Sequence, residues 1–368
     1  MLQQPPLWFI AIAFICAIGP LVFFHELGHY LVARWFGVGA EQFSIGFGHE
    51  IFGWTDKRGT RWKVGWLPLG GYVRFVGDMN AASQVDANAD LTEAERDVAF
   101  HNKPVRKRFL IVLAGPMANF LLAILIFSAF FFFLGKPSTP PMVSDIQPGS
   151  AAATAGLQPG DRISSIAGQG TQSFEDIYRI VAIRAGEPVD IEITRNGAPL
   201  TIHATIGREV IKDEFGQSYE KGLLGLAPPK REFAPVSLME AVPDATRYTL
   251  VLTRSMIDGL GQIVTGQRSA KELGGPLRMA KIAGQQLTLG PFEFIQLVAL
   301  FSINLGFINL LPIPMLDGGH LLLYSAEAIR RKPLSLAAQD WAFRGGLAFL
   351  LALVLFVTFN DLSSFGLF

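Results

Sequence analysis

Residues 7–32 read LWFIAIAFICAIGPLVFFHELGHYLV, and this stretch decides the fold. About 26 residues at a helical rise of about 1.5 Å reach roughly 39 Å, enough to cross a bilayer with some tilt. Near its end stands His25-Glu26-Leu27-Gly28-His29, an H-E-x-x-H pattern. On a helix, positions i and i+4 share a face, so His25 and His29 can present two imidazoles to one metal ion. Glu26 lies one step round, positioned to take a proton from an attacking water. Two histidines and a carboxylate in lipid are expensive, which makes such a cluster functional by default. The bland alternative is a chance match to a short pattern. The apolar setting and a candidate third ligand far downstream argue against it. Pro20 predicts a kink one turn before the histidines. The site falls about 27 Å from the start of the helix, nearer the far membrane face.

Composition agrees with a membrane protein that carries an aqueous module. Of 368 residues, 50% are hydrophobic and 17% charged, and mean hydropathy is +0.35. That is too apolar for an ordinary soluble enzyme and too charged for a chain wholly in lipid. The net charge of zero gives no support to nucleic-acid binding. Cys16 is the single cysteine, so an intrachain disulfide and a cysteine-based zinc site are both excluded. Met1 to Leu7 has no positive charge and no small-residue cleavage site follows, so the first apolar run reads as retained rather than as a cleaved signal.

From Gly37 to Arg108 the chain turns polar and irregular, and Lys57, Arg58, Arg61, Lys63, Arg74, Lys103, Arg106, Lys107 and Arg108 make it basic. The positive-inside rule makes this side cytoplasmic and the N-terminus external. Within it, Arg61 to Phe75 reads as a β-hairpin turning around Pro68, Gly70 and Gly71. It is too apolar for cytosol and too short to cross, so it is expected to re-enter the membrane against protein or a cavity. Asn80 to Asp97 reads as a solvated loop with a short acidic helix.

Phe109 to Leu134 forms a second span, with Gly115, Pro116 and Asn119 in its first third. Small residues there permit close helix packing, and Asn119 reads first as glue between helices and second as support for the site. Pro137 to about Arg208 forms a compact external α+β module with strand, helix-start and hairpin signals in turn. Residues 209–290 read as an external linker. In it, Val236 to Ile263 has a helical apolar period, fit to lie on the membrane surface or to pack on the module. Gly274-Gly275-Pro276 reads as a break.

Phe292 to about Leu316 forms the third span, interrupted by Asn304 and Asn309 and unwound by Pro312 and Pro314. Asp317-Gly318-Gly319-His320 follows. A second basic loop, Ile329 to Pro333, is again cytoplasmic, and Gly345 to Phe359 returns as the fourth span. A catalytic zinc takes three protein ligands and leaves one position open. His49, His101 and His203 lie in loops or in the outer module. Asp317 arrives at the depth of His25 and His29 and is the expected third ligand, with His320 supporting. The plain alternative for Asp317 is a turn residue before two glycines.

The paired motifs H-E-L-G-H and Asn309-Leu310-Leu311-Pro312-Ile313-Pro314-Met315-Leu316-Asp317-Gly318, with a module between them that resembles a PDZ domain, resemble the site-2 protease family of intramembrane zinc metalloproteases. Gly46-Phe47-Gly48, Gly70-Gly71-Tyr72-Val73 and Ala114-Gly115-Pro116-Met117-Ala118-Asn119 also match, most closely the branch that holds the bacterial regulator of sigma-E protease. Better-known members of that layout carry two PDZ domains; this chain has room for one.

The resemblance implies a polytopic α-helical membrane protein of about four transmembrane helices, with a re-entrant β-hairpin and an inserted PDZ domain at 137–208. The membrane halves are 1–136 and 291–368. It implies Zn2+ held by His25, His29 and Asp317, Glu26 as general base, and Asn309 with Gly70, Gly71, Tyr72 and Val73 binding substrate backbone. It further implies cleavage of single-span membrane proteins, an anti-sigma factor or remnant signal peptides, in regulated intramembrane proteolysis. The expected location is the bacterial inner membrane, with both termini and the PDZ domain periplasmic and the site toward the cytoplasm. The PDZ groove either captures a peptide partner or acts as a steric gate, and the sequence leaves both readings open. Two other classes fit less well. A metal transporter needs polar residues toward the outer face, and Leu7 to Phe24 and Leu121 to Phe133 have almost none. A tethered PDZ scaffold leaves Glu26 unexplained.

Overall fold

The computed structural model describes residues 5–78, 91–182, 184–212, 218–227, 232–266, 270, 274–332 and 335–364. In chain order the elements are α1 (Leu7–Trp35), β1 (Ala40–Thr55), β2 (Arg61–Phe75), α2 (Glu93–Val98), α3 (Val105–Leu134), β3 (Lys136–Ser138), β4 (Asp145–Ile146), α4 (Ala151–Ala155), β5 (Arg162–Ile166), β6 (Gln169–Gly170) and α5 (Phe174–Ala182). They continue with β7 (Pro188–Arg195), β8 (Ala198–Thr205), β9 (Gly207–Lys212), β10 (Ser218–Leu223), β11 (Leu226–Ala227), β12 (Glu232–Ala234), α6 (Leu238–Val264), α7 (Pro276–Leu289), α8 (Pro291–Leu310), α9 (Asp317–Arg330) and α10 (Leu336–Ser364). The chain divides into two compact units, residues 1–128, 242–263 and 269–368 in one and 129–241 with 264–268 in the other.

Among the described residues, four helices are long and apolar enough to cross a membrane: α1, α3, α8 and Trp341–Ser363 within α10. Ile12 and Ile15 on α1 and Leu121 and Leu125 on α3 are exposed, faces suited to lipid. Their inner faces bury Ala13, Ala17 and Leu21 against Ala283, Leu297, Val298 and Phe301.

Three boundaries differ from the sequence expectation. The third helix stops at Leu310 rather than near Leu316, because Pro312 and Pro314 cannot continue it. The fourth is longer than Gly345 to Phe359. It reaches past Asp361 because that buried carboxylate accepts the backbone N–H groups of Gly275 (2.9 Å) and Arg278 (3.0 Å). Those groups open α7, so the negative charge sits at a helix N-terminus. Helix α7 itself starts at the Gly-Gly-Pro that reads as a break: Pro276 occupies the first helical turn, where a missing N–H costs nothing.

The β region of this unit also corrects the sequence reading. Arg61 to Phe75 is not a hairpin by itself but one strand, β2, whose partner is β1. The tight turn lies at Asp56 to Thr60, where the Asp56 carboxylate accepts the N–H groups of Arg58 and Thr60. Both strands then fold over. Glu50 to Thr55 pairs with Arg61 to Gly65, while Gln42 to Ile45 pairs with Arg61 to Val64 on one side and with Gly71 to Arg74 on the other. Gly46 and Gly48, at positive φ, allow β1 to fold: a Cβ at Gly46 would lie 2.9 Å from the carbonyl oxygens of Gly65 and Leu67. The result leaves Gly71 to Phe75 paired on one side only among the described residues.

The expected loop over Asn80 to Asp90 lies outside the described residues, as does Pro333 of the second basic loop. The acidic helix beside the first is α2, closed by a capping box between Thr92 and Glu95.

The second unit is built on an antiparallel sheet in the order β6-β5-β7-β8. Strand β7 alternates exposed and buried positions, sending Val189, Ile191 and Ile193 inward. They pack with Ile163, Ile166, Ile177, Ile180 and Ile202 into one core. Asp161 is buried. Desolvation raises its carboxyl, but hydrogen bonds from Arg195 and from the Gln158 amide outweigh it and hold the group below its ordinary value. The unit runs beyond Arg208, the expected end of the module: Leu224 belongs to its core, β10 pairs β9, β11 pairs β4 and β12 pairs β3. Helix α6 belongs for most of its length to the helical unit. Its residues 242–263 group with the helical unit, and Tyr248 meets Phe127 of α3 edge-on at 5.0 Å between ring centres.

Candidate metal centre

Helix α1 carries His25, Glu26 and His29 at 8%, 8% and 9% exposure. One turn separates the two histidines, and their Nε2 atoms lie 3.3 Å apart. Asp317, the first residue of α9, brings Oδ2 to 3.1 Å from His25 Nε2 and 3.5 Å from His29 Nε2. The ligand atoms of the three residues all lie within 4.8 Å of one another. A tetrahedral ion with bonds of about 2.0–2.1 Å has ligand-to-ligand edges of about 3.3–3.4 Å. The three observed edges bracket that value. Asp317 Oδ2 is buried and accepts no hydrogen bond, so it is a lone pair in want of a cation. Two imidazoles and a carboxylate are a donor set that suits zinc.

Neighbours fix how each ligand points. His29 Nδ1 lies 2.9 Å from the Ile111 carbonyl on α3, an acceptor that holds the proton on Nδ1 and leaves Nε2 free. The close approach of α1 and α3 depends on missing side chains. A Cβ at Gly28 would collide with the Ala114 carbonyl, and one at Gly115 would overlap the His29 ring. That ring cannot give way, being held by Ile111 at one nitrogen and facing Asp317 with the other. Gly115→Ala is therefore expected to weaken zinc binding by at least about tenfold, the low end for losing ligand orientation. Competition against a chelator measures it; unchanged affinity would refute the crowding.

Asp317 is delivered by an irregular stretch. After α8 ends, Leu311 is extended, Met315 adopts φ 80° and Leu316 is extended again, and α9 begins at the aspartate. Cβ atoms at Gly318 or Gly319 would strike the carbonyls of Leu311 and Ile313. The glycines let the new helix start flush against the loop it leaves.

A cavity of about 420 Å³ opens on His25, His29 and Asp317 and is lined by Glu26, Asn309, Gly70, Gly71, Tyr72 and Val73. The nine candidate ligand, base and substrate-binding residues thus face one space. Gly71 sits against α1, where a Cβ would lie 3.0 Å from Glu26 Cγ. The Val73 backbone amide faces the Glu26 carboxylate. His320 also lines the cavity, its ring packed 5.2 Å from that of Phe343. The other histidines are elsewhere: His101 faces Asp78 at 2.9 Å, His203 faces Asp190 at 2.5 Å in the second unit, and His49 is exposed on β1. The Ile111 carbonyl escapes sequence reading because a backbone group carries no residue signal. Gly115 left a trace in the small-residue run Ala114-Gly115-Pro116.

The sequence matches the pattern of peptidase family M50 over residues 13–353. A protein of Agrobacterium fabrum named as a zinc metalloprotease is 44% identical over 362 residues, 96% of this chain and 95% of its own. One of Mesorhizobium japonicum, named likewise, is 41% identical, covering 95% of this chain and 98% of its own. Metalloprotease MmpA of Caulobacter vibrioides is 39% identical over 386 residues, 98% of this chain and 96% of its own. Among solved structures, the PDZ domain of an SdrC-like protein from Listeria monocytogenes covers 24% of this chain and 87% of its own at 18% identity, with a TM-score of 0.19.

Proposed function

The chain belongs to peptidase family M50 and is a zinc metalloprotease with four apolar spans, and from that premise we propose that it hydrolyses peptide bonds in or beside the transmembrane segments of single-span membrane proteins. His25, His29 and Asp317 hold the ion. When bound, zinc polarises the scissile carbonyl and brings water to a nucleophilic state near neutral pH. Glu26 takes the proton from the attacking water on its carboxylate and then delivers it to the leaving amine. The Val73 amide steadies that carboxylate.

A helical substrate hides its carbonyls in internal hydrogen bonds and must unwind before attack. The unpaired side of Gly71 to Phe75 offers replacement partners by strand addition, with Gly70 leaving room for the approaching backbone. The Asn309 amide supplies a further partner for the exposed peptide. This β1–β2 region acts as the membrane re-entrant element; its exposed Ile51, Phe52, Trp54 and Trp66 suit an apolar surround.

The substrates fitting this site are an anti-sigma factor already trimmed outside, or remnant signal peptides, in regulated intramembrane proteolysis. The two basic segments put the site near the cytoplasmic face of a bacterial inner membrane. Both termini and the second unit are then periplasmic, and that unit is a PDZ domain receiving a peptide on its groove.

The observation that carries the reading is that all nine residues line one buried cavity at the base of an apolar helix. The test uses purified protein in lipid vesicles with a single-span substrate, products mapped by mass spectrometry. Cleavage within or at the edge of the span is expected, abolished by a chelator and restored by zinc. Cuts confined to aqueous tails would refute the proposal.

A further inference from the structure

The geometry points to Asn119 as a positioning residue that fixes the tautomer of His25, an inference that rests on the reading of His25 as a zinc ligand. Asn119 lies on α3, fully buried, with its side-chain amide 3.2 Å from His25 Nδ1. The ring's other nitrogen, Nε2, is the one that faces His29 and Asp317. For Nε2 to offer a lone pair to an ion, a neutral His25 must carry its proton on Nδ1. That proton then needs an acceptor, and Asn119 is the polar side chain recorded against Nδ1 among the described residues.

In one orientation the amide aims its NH2 at Nδ1 and leaves Oδ1 buried without a partner. Oxygen and nitrogen of an amide exchange by a half-turn. The half-turn places Oδ1 on Nδ1–H and satisfies the orphaned oxygen. His25 then matches His29, whose Nδ1 faces the Ile111 carbonyl. One ligand is oriented by a backbone carbonyl and the other by a side-chain carbonyl, both on α3. The helix is braced at that point: Ser302 Oγ on α8 donates to the Asn119 backbone carbonyl at 2.7 Å, with both residues fully buried. The span carrying Asn309 is thereby tied to the level of α3 that supports His25.

The partner is therefore required as an acceptor, which separates this role from packing. Asn119→Leu keeps the shape and removes the acceptor; Asn119→Asp keeps the acceptor and removes the donor. Zinc affinity is read by chelator competition on full-length protein in detergent. Asn119→Leu is expected to bind zinc about 10–100-fold more weakly, the range for losing an outer partner of a metal-bound histidine. Asn119→Asp is expected within about threefold of wild type or tighter, since a carboxylate makes the imidazole a better donor. A second readout is the His25 Nδ1 proton in zinc-loaded, 15N-histidine-labelled protein. It should be slow to exchange in the wild type and in Asn119→Asp, and fast in Asn119→Leu.

Wild-type affinity in Asn119→Leu overturns the inference, and so does equal loss in both variants. If Asn119→Leu also melts early without zinc, the Asp variant decides alone: retained affinity with a protected proton supports the acceptor role, and lost affinity ends it. His25→Ala separates the levels. Zinc retained there would remove His25 from the ligand set, whereas zinc lost there and retained in Asn119→Leu would defeat only the inference.

Discussion

Replacing Glu26 by Gln leaves zinc bound at the wild-type level and lowers cleavage of a transmembrane substrate by about 10²- to 10⁴-fold, the usual worth of a positioned general base. The change is nearly isosteric. Glu26 is 8% exposed and packed against Gly71, so a side chain of the same shape is needed to keep β2 seated on α1. Gln also keeps an oxygen toward the Val73 amide. What it loses is the capacity to take and return a proton. Glu26 is absent from the set of ligand atoms that cluster together, so the metal should not notice the change. Zinc content by elemental analysis and single-turnover cleavage in vesicles measure the two halves separately. Cleavage within tenfold of wild type would remove Glu26 from the chemistry, and loss of zinc would make it a structural residue instead.

The spans and the meeting of His25, His29 and Asp317 were legible because each depends on a one-dimensional signal. An apolar run of some twenty residues has few fates besides crossing a bilayer. His25 and His29 are tied by helical period, and Asp317 is tied to their depth by the prolines that end α8. The β region was not legible for the opposite reason. Gln42 to Ile45 pairs with two separate parts of β2, and the fold-over rests on Gly46, Gly48 and Gly65, whose spacing resembles ordinary turn punctuation. Pro68, Gly70 and Gly71 carry the residue types of a hairpin turn, yet Gly70 and Gly71 lie within β2, where they let it pass close to Phe47 and α1. Pro276 misled similarly, since the same residue both breaks a helix and begins one. The end of the second unit was hidden because its last strands, β11 and β12, are short and pair with distant partners, β4 and β3. Nonlocal pairing of two or three residues leaves no periodic trace.

Replacing Asp317 by Ala abolishes zinc binding, and it also changes the sign of a stability difference. In the intact site Asp317 Oδ2 is buried, accepts no hydrogen bond and faces only two imidazole nitrogens. A carboxylate in that position is costly unless a cation compensates it. With two histidines remaining at 3.3 Å, the variant offers one ligand fewer than a catalytic site requires. Zinc therefore stabilises the wild type and not the variant. At a free zinc concentration of about 100 times Kd, the wild-type gain is about 2.7 kcal/mol. Without zinc the order is expected to be level or reversed, because the variant no longer buries a carboxylate whose only partners are two imidazoles. Thermal melts of both proteins, with zinc and with chelator, give four values. The expected pattern is a wild type that rises on adding zinc and a variant that does not move, the two meeting or crossing in chelator. A variant that still rises with zinc takes Asp317 out of the ligand set. A variant that melts well below zinc-free wild type assigns the residue to the start of α9 rather than to the ion.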